Sequence, residues 1–160
     1  MDDACRYLED LHTGERWVSA PVAITEDDIV RFGREFDPQP MHTDPAAAAH
    51  GPFGGLIASG WHMGSLAMKL LVQGRSFGDT PIVGVGVDNL RWLQPVRPGD
   101  VLTLERTIAE VVPPAKPGGR GTVRSLVELR NQRGEVAVRL EAIGKVPSRP
   151  LARQPATQAA

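Results

Sequence analysis

Residues 59–73 constrain the fold more than any other segment, because they are apolar on most sides at helical spacing. The polar positions form one narrow stripe, made of His62, Ser65, Lys69 and Gln73. A helix that is apolar nearly all round is buried, so we expect this stripe to be buried and hydrogen-bonded. Ser59 is suited to cap the N-terminus of the helix. Other parts of the chain must therefore wrap around it.

Strand-like segments before and after this helix can provide the wrapping. We predict strands over residues 15–22, 82–93, 100–112, 120–131 and 135–146. Short turns over 97–100 and 131–134 would join neighbouring strands as hairpins, which favours an antiparallel sheet. The predicted fold class is α+β, an antiparallel sheet wrapped around a long central helix, which is the hot-dog arrangement.

The chain of 160 residues is long enough for one domain. We expect residues 1–146 to form it, and residues 147–160, which show no periodic pattern, to be a flexible tail. Five strands and one helix leave a strand edge and apolar surface uncovered. We therefore expect a homodimer or an assembly of dimers.

Composition excludes several classes of partner. The net charge is −1 and no basic stripe is present, so we expect no nucleic acid partner. The apolar segment 61–72 is too short to cross a membrane, which takes about 20 residues. Cys5 is the only cysteine, which rules out an internal disulfide and favours a reducing, cytoplasmic compartment.

The segment 36–45 (Phe-Asp-Pro-Gln-Pro-Met-His-Thr-Asp-Pro) is predicted to be a stiff, extended loop that contains the catalytic residues. Its three prolines fix φ at three points and remove three backbone donors. A helix capped by Thr25 should precede it and end at Phe36 or Asp37, because Pro38 disfavours helical geometry in the residue before it. Residues 46–50 should form one short turn. Asp37 and His42 would then be held as an acid–base pair.

Four sequence blocks together resemble the MaoC-like dehydratases, which are relatives of the (R)-specific enoyl-CoA hydratases. The blocks are residues 7–15, 37–45, 53–60 and 93–100. The resemblance covers roughly residues 6–146 and implies a hot-dog fold, a homodimer or assembly of dimers, and reversible hydration of a 2-enoyl-CoA thioester. Coenzyme A would belong to the substrate, and no cofactor would be required.

The resemblance also implies roles for individual residues. Asp37 and His42 match the pair that holds and activates a water, and the amide of Gly60 matches the donor to the thioester oxygen. Gln39 stands where the family commonly has Asn, and Ser59 where it commonly has His. These departures affect loop geometry and acyl preference rather than the pair itself. Because a backbone amide survives most substitutions, we expect only proline at Gly60 to remove the donor.

Other polar residues have simpler interpretations. Asp44 is predicted to be a turn or cap residue before Pro45. A metal site built from His42, Asp44 and His50 would match no standard ligand spacing, so we expect no metal. Spacing alone favours the interpretation of Asp37 as a helix-end or loop residue and His42 as an ordinary loop histidine, whereas the four sequence blocks together favour the catalytic interpretation.

Three loop cations, Arg97, Lys116 and Arg120, could meet the phosphates of coenzyme A. Solvated surface charge is the commoner outcome for such residues.

Two other functions remain as alternatives. A thioesterase, or the dehydratase of fatty-acid synthesis, would need an acidic residue on the central helix, and residues 59–73 contain no Asp or Glu. A non-catalytic module that binds acyl-CoA or lipid also remains, because Gln39 departs from the family pattern.

Overall fold

The structure, a computed structural model, describes residues 5–149. A short 3₁₀ turn occupies Leu8–Asp10. The elements that follow are β1 (Arg16–Val18), β2 (Val22–Ala23), α1 (Glu26–Phe36), α2 (Pro40–Thr43), α3 (Pro45–Ala49), α4 (Gly60–Gln73), β3 (Ser76–Asp79), β4 (Val83–Trp92), β5 (Val101–Val112), β6 (Arg120–Arg130) and β7 (Val136–Pro147). The helices and long strands predicted from the sequence are present, with ends that differ by one or two residues. The short strand β3 was not predicted.

The strands form an antiparallel sheet in the order β1-β5-β6-β7-β4. The strand predicted over 15–22 is interrupted, so that β1 and β2 pair with different parts of β5. Pro21 has no N–H to donate at this point, and the Ser19 hydroxyl accepts from the Leu104 N–H at 3.0 Å. Strand β4 pairs with β7 alone among the described residues, which leaves its other edge open.

Helix α4 packs on one face of the sheet and forms the main core. Met63, Leu66 and Ala67 are its buried residues. They belong to a cluster with sheet residues that include Leu102, Leu104, Val127, Leu129, Val138 and Leu140. Burial of each large aliphatic side chain contributes roughly 1.5–3 kcal/mol. This packing joins the central helix to the three strands β5, β6 and β7.

We predicted that this helix is buried on most sides, but a single copy of the chain does not bury it in this way. Trp61, Met68 and Val72 are 61%, 55% and 67% exposed, because the sheet covers only one face of the helix. The predicted buried polar stripe is also wrong. Ser65 is exposed, whereas His62 is half-buried and stacks on Phe32 with ring centroids 4.8 Å apart. In the part of the chain that the structure describes, His62 Nδ1 has no hydrogen-bond partner.

The segment 36–45 is only partly extended. Helix α1 ends at Phe36, as predicted, and the Thr25 hydroxyl accepts from the Asp28 N–H at 3.1 Å. Pro40 and Pro45, however, begin the short helices α2 and α3. A proline at the first helical position is well tolerated because that N–H has no partner within the helix. The prediction of an extended loop was therefore wrong for these residues.

The ordered chain continues past the predicted boundary at Val146. Strand β7 ends at Pro147, the Ser148 N–H donates to the Gly119 carbonyl at 3.0 Å, and the Arg149 N–H donates to Glu9 Oε2 at 3.0 Å. These bonds contradict the prediction of a tail for residues 147–149. The remainder of the predicted tail, 150–160, lies outside the described residues.

None of the helices within residues 5–149 combines the length and the apolar character needed to cross a membrane.

Candidate active site

A cavity of about 510 Å³ lies beside the N-terminus of α4. Its lining brings together segments that are distant in sequence. These include Asp37 after α1, His42 on α2, Gly60 and Trp61 at the start of α4, and Trp92 at the end of β4. Gln39 also lines it, and Ser59 precedes Gly60. The five residues from 37 to 60 that were singled out as catalytic or substrate-binding therefore lie around one space.

His42 is buried, with 4% of its surface exposed, and its orientation is fixed by the backbone. Its Nδ1 lies 2.8 Å from the carbonyl oxygen of Ile57. Since a carbonyl can only accept, Nδ1 carries the proton, and Nε2 of the neutral ring has a lone pair. This Nε2 lies 3.4 Å from Asp37 Oδ2. The imidazole therefore presents an acceptor to the carboxylate.

Asp37 is held by two side-chain donors. Gln39 Nε2 donates to Oδ1 at 2.8 Å, and the Ser59 hydroxyl donates to Oδ2 at 2.7 Å. The bond from Gln39, and then the bond from Ser59, keep the pKa of Asp37 below its usual range, and a positive charge on His42 adds to this effect when the ring is protonated. Burial opposes this effect but does not reverse it. Asp37 is therefore ionised at neutral pH.

Close packing of α1 against α2 positions His42. A Cβ added at Gly33 would lie only 2.6 Å from the His42 carbonyl oxygen. From the other side, the Ile57 N–H donates to the Met41 carbonyl at 3.0 Å. Neither Gly33 nor Ile57 was identified from the sequence. The available signal was a glycine inside an amphipathic helix, where it costs roughly 0.5–1 kcal/mol relative to alanine.

The first turn of α4 supplies a backbone donor. Ser59 caps the helix as predicted, and its hydroxyl accepts from the Trp61 N–H at 3.3 Å. Gly60 is the first helical residue, so its N–H has no acceptor within the helix, and it lines the cavity. The positive end of the helix dipole lies at the same place.

Trp92 explains why position 60 is a glycine. A Cβ at Gly60 would lie 2.3 Å from Trp92 Cε2. The Trp92 ring also contacts Trp61 edge-on, with centroids 5.7 Å apart. Only proline would remove the Gly60 N–H, as expected from its chemistry, but any side chain at position 60 would also displace an aromatic wall of the cavity. Trp92 was not identified from the sequence.

The arrangement can bind and polarise a water. Neutral His42 Nε2 and ionised Asp37 Oδ2 are both acceptors, so one water can donate a hydrogen to each. Its oxygen lone pairs then remain available for attack on an electrophile, while the Gly60 N–H can bind an oxygen that becomes negative.

The three candidate phosphate-binding cations do not form one site within the chain. Arg97 lies beside the cavity, because its Nη2 donates to the carbonyl of the cavity residue Phe53 at 2.6 Å. Lys116 is exposed in the loop after β5, and Arg120 Nη1 donates to the Pro81 carbonyl at 3.0 Å. Strand β5 has 12 residues and is therefore about 35 Å long. It separates that loop from Arg97.

Asp44 caps α3, as predicted, since its Oδ1 accepts from the Ala46 and Ala47 N–H groups at 2.9 and 3.0 Å. In the part of the chain that the structure describes, no group of three His, Cys, Asp or Glu side chains is arranged to hold a metal ion.

Comparison with known proteins identifies the family. Residues 10–128 match the model of the MaoC like domain. The chain belongs to this family. A solved MaoC-like dehydratase from Rhodospirillum rubrum is 42% identical, with a TM-score of 0.81 over 91% of this chain and 99% of that one. The predicted resemblance and the hot-dog fold are thereby confirmed.

Two further relatives of this MaoC-like chain have informative names. The (R)-hydratase PhaJ1 of Pseudomonas aeruginosa is 26% identical, with a TM-score of 0.70 over 96% of each chain. A 3-hydroxybutyryl-CoA dehydratase from Methylorubrum extorquens is 28% identical over 148 residues, which are 89% of this chain and 85% of the relative. The chain therefore belongs to a family of hydratases and dehydratases.

Proposed function

We propose that this protein catalyses the reversible hydration of a 2-enoyl-CoA thioester to a 3-hydroxyacyl-CoA. The observation that carries the proposal is the pair of acceptors, Asp37 Oδ2 and His42 Nε2, 3.4 Å apart in a cavity that also contains the first amide of α4. The relationship to a 3-hydroxybutyryl-CoA dehydratase supports a coenzyme A thioester as the substrate.

In this proposal the Gly60 N–H binds the thioester carbonyl oxygen. Attack at the β-carbon moves negative charge onto that oxygen. A fixed N–H at the positive end of a helix dipole favours this charge more in the transition state than in the ground state.

Asp37 and His42 act on the water. Its oxygen forms a bond to the β-carbon while one O–H bond breaks and the proton moves to His42 Nε2. The electron pair of the double bond moves toward the thioester as an enolate. Protonated His42 then returns this proton to the α-carbon, so that one water is added in total. Asp37 stays ionised and stabilises the imidazolium at 3.4 Å.

The departure at Gln39 is compatible with catalysis. Its amide donates to Asp37 Oδ1 at 2.8 Å, and Ser59 donates to Oδ2 at 2.7 Å. Both donors favour the ionised carboxylate that the mechanism uses. This supports an active enzyme rather than a binding module that has lost its chemistry.

We also propose that the protein works as a homodimer or an assembly of dimers. The open edge of β4 has Val83, Val85 and Val87 at least half exposed. Helix α4 has its own exposed apolar residues, Trp61, Met68 and Val72. A second copy that covers such surfaces would remove a strand edge and a large apolar patch from water.

The reaction requires no metal or cofactor in this mechanism, since side chains activate the water. Arg97, beside the cavity, is the candidate to meet a coenzyme A phosphate.

The direct test is incubation of the protein with a short 2-enoyl-CoA such as crotonyl-CoA. Absorbance of the conjugated thioester should fall without release of a free thiol. Release of thiol would favour a thioesterase instead. Binding of the thioester with neither change would favour the non-catalytic module.

A further inference from the structure

A second cavity, of about 450 Å³, lies at the other end of α4. It shares no lining residue with the candidate active site. Its walls are largely apolar and include Leu71, Phe77, Ile82, Val123 and Val127. Arg106 of β5 also lines it. We call this space the arginine cavity.

Arg106 is fully buried and only partly hydrogen-bonded. Its Nη2 donates to Glu15 Oε1 at 2.9 Å and to the Ser76 carbonyl at 3.1 Å, and its guanidinium lies 4.2 Å from the centre of the Phe77 ring. Nε and Nη1 have no partner among the described residues. Because Nη2 uses both of its hydrogens, three of the five N–H groups of the guanidinium lack an acceptor.

The charge of Arg106 is not cancelled by its ion pair. Glu15 also accepts from Arg6 Nη1, at 2.8 Å, so that two guanidinium groups share one carboxylate. The other charged residues that line the cavity, Arg75 and Asp79, form a pair at 2.8 Å. Among the described residues that line the cavity, Arg106 is therefore a cation that shares its one carboxylate partner with a second guanidinium group.

A second buried donor lies beside this charge. Ser76 is 3% exposed and lines the same cavity, and its hydroxyl has no hydrogen-bond partner within residues 5–149. Buried polar groups are normally hydrogen-bonded, so unpartnered donors that line one cavity indicate a ligand that accepts. An apolar cavity that contains a buried guanidinium with unused N–H groups, and a hydroxyl able to donate beside it, suits a monoanion with an apolar body.

We propose that the arginine cavity binds a carboxylate attached to a short apolar chain. The carboxylate oxygens accept from the unpartnered N–H groups of Arg106 and from the Ser76 hydroxyl. The chain lies against Leu71 and Val127. A carboxylate matches this set of groups because it accepts hydrogen bonds and donates none.

Two sources could supply this carboxylate. One is a free carboxylic acid. The other, which rests on the proposed function, is a carboxylate at the far end of the substrate's acyl chain. Helix α4 runs from one cavity to the other, and Gly60 and Leu71 are about 16 Å apart along it.

The free-acid source is tested by calorimetric titration with octanoate and, as its uncharged match, octanol. We expect octanoate to bind more tightly, and Arg106→Gln to weaken octanoate binding by about 10- to 100-fold, as loss of a charged hydrogen bond does. Arg75→Gln is the matched control on the same cavity and should change binding much less. Circular dichroism checks that each variant is folded.

Two further variants keep the test valid if Arg106→Gln does not fold. Ser76→Ala removes the second donor and should weaken octanoate binding by up to about tenfold. Ala142→Phe fills the cavity and should abolish binding of octanoate. Unchanged octanoate binding in both folded variants would overturn the proposal.

The substrate source is tested with two enoyl-CoA thioesters of equal length, one ending in a carboxylate and one in a methyl group. A higher kcat/KM for the carboxylate form that disappears in Arg106→Gln would support the proposal and assign the source. Octanoate binding by a protein that hydrates neither thioester would refute the proposed function alone. Equal kcat/KM values, together with octanoate that binds no better than octanol, would overturn this inference alone.

Discussion

Substitution Gly33→Ala should impair catalysis without touching any atom that contacts substrate. The added Cβ would lie 2.6 Å from the His42 carbonyl oxygen and 3.0 Å from His42 Cβ. Ordinary contact begins near 3.4 Å, so α1 and α2 must separate by the difference, about 0.8 Å. A displacement of about 1 Å at a catalytic group can lower the rate about 100-fold. We expect kcat for crotonyl-CoA to fall by about 10- to 100-fold.

The stability of the same variant can be worked out. Alanine in place of glycine within a helix stabilises by roughly 0.5–1 kcal/mol, and overpacking costs typically 1–3 kcal/mol. We expect a net loss of about 0–2 kcal/mol by urea unfolding. Gly64→Ala is the matched control, because its Cβ would meet no atom within 4 Å; it should be slightly more stable and fully active. Wild-type kcat in Gly33→Ala, with stability equal to that of Gly64→Ala, would refute this reasoning.

Three further outcomes are expected. Hydrogen bonds from Arg6, and then from Arg106, lower the pKa of Glu15 from 4.5 to about 2. Glu15 therefore contributes up to about 3 kcal/mol to the free energy of unfolding above pH 4.5, and this contribution is lost as the pH falls toward 2. Urea unfolding of Glu15→Gln should lack this acid-dependent loss of stability. Gly60→Ala should lower kcat/KM because the added Cβ displaces Trp92. The double variant Gly60→Ala, Trp92→Ala should recover part of the lost kcat/KM. Absence of any recovery would mean that the clash with Trp92 is not the cause of the loss. Sedimentation of the wild-type protein at micromolar concentration should show a dimer. Val85→Lys, on the open edge of β4, should weaken this dimer. A stable wild-type monomer would contradict the proposed assembly.

Elements with strong local signals were predictable from the sequence. The cap at Thr25 and the end of α1 before Pro38 each depend on neighbouring residues only. The short helix α2 was missed, and α3 was predicted only as a short turn over 46–50, because proline was taken as evidence against helix, although it is favourable at the first helical position.

Features that depend on distant contacts were not predictable in the same way. The proline-rich segment and the family resemblance suggested Asp37 and His42 as a pair, but the Ile57 carbonyl that fixes the histidine tautomer lies 15 residues away from His42. Trp92 lies over Gly60 only once β4 has paired in the sheet. Burial of α4 was overestimated because periodicity describes the surface of a helix and not what covers it.

The most direct test of the proposed mechanism is the kcat of Asp37→Asn, His42→Ala and the double variant with crotonyl-CoA. Circular dichroism must first show that all three are folded. General acid–base assistance contributes about 10² to 10⁴ in rate, so each single variant should lose at least that order. The double variant should be little worse than either single one, because both residues act on one water. Near-wild-type turnover in folded Asp37→Asn would contradict the assignment of this pair as the catalytic centre.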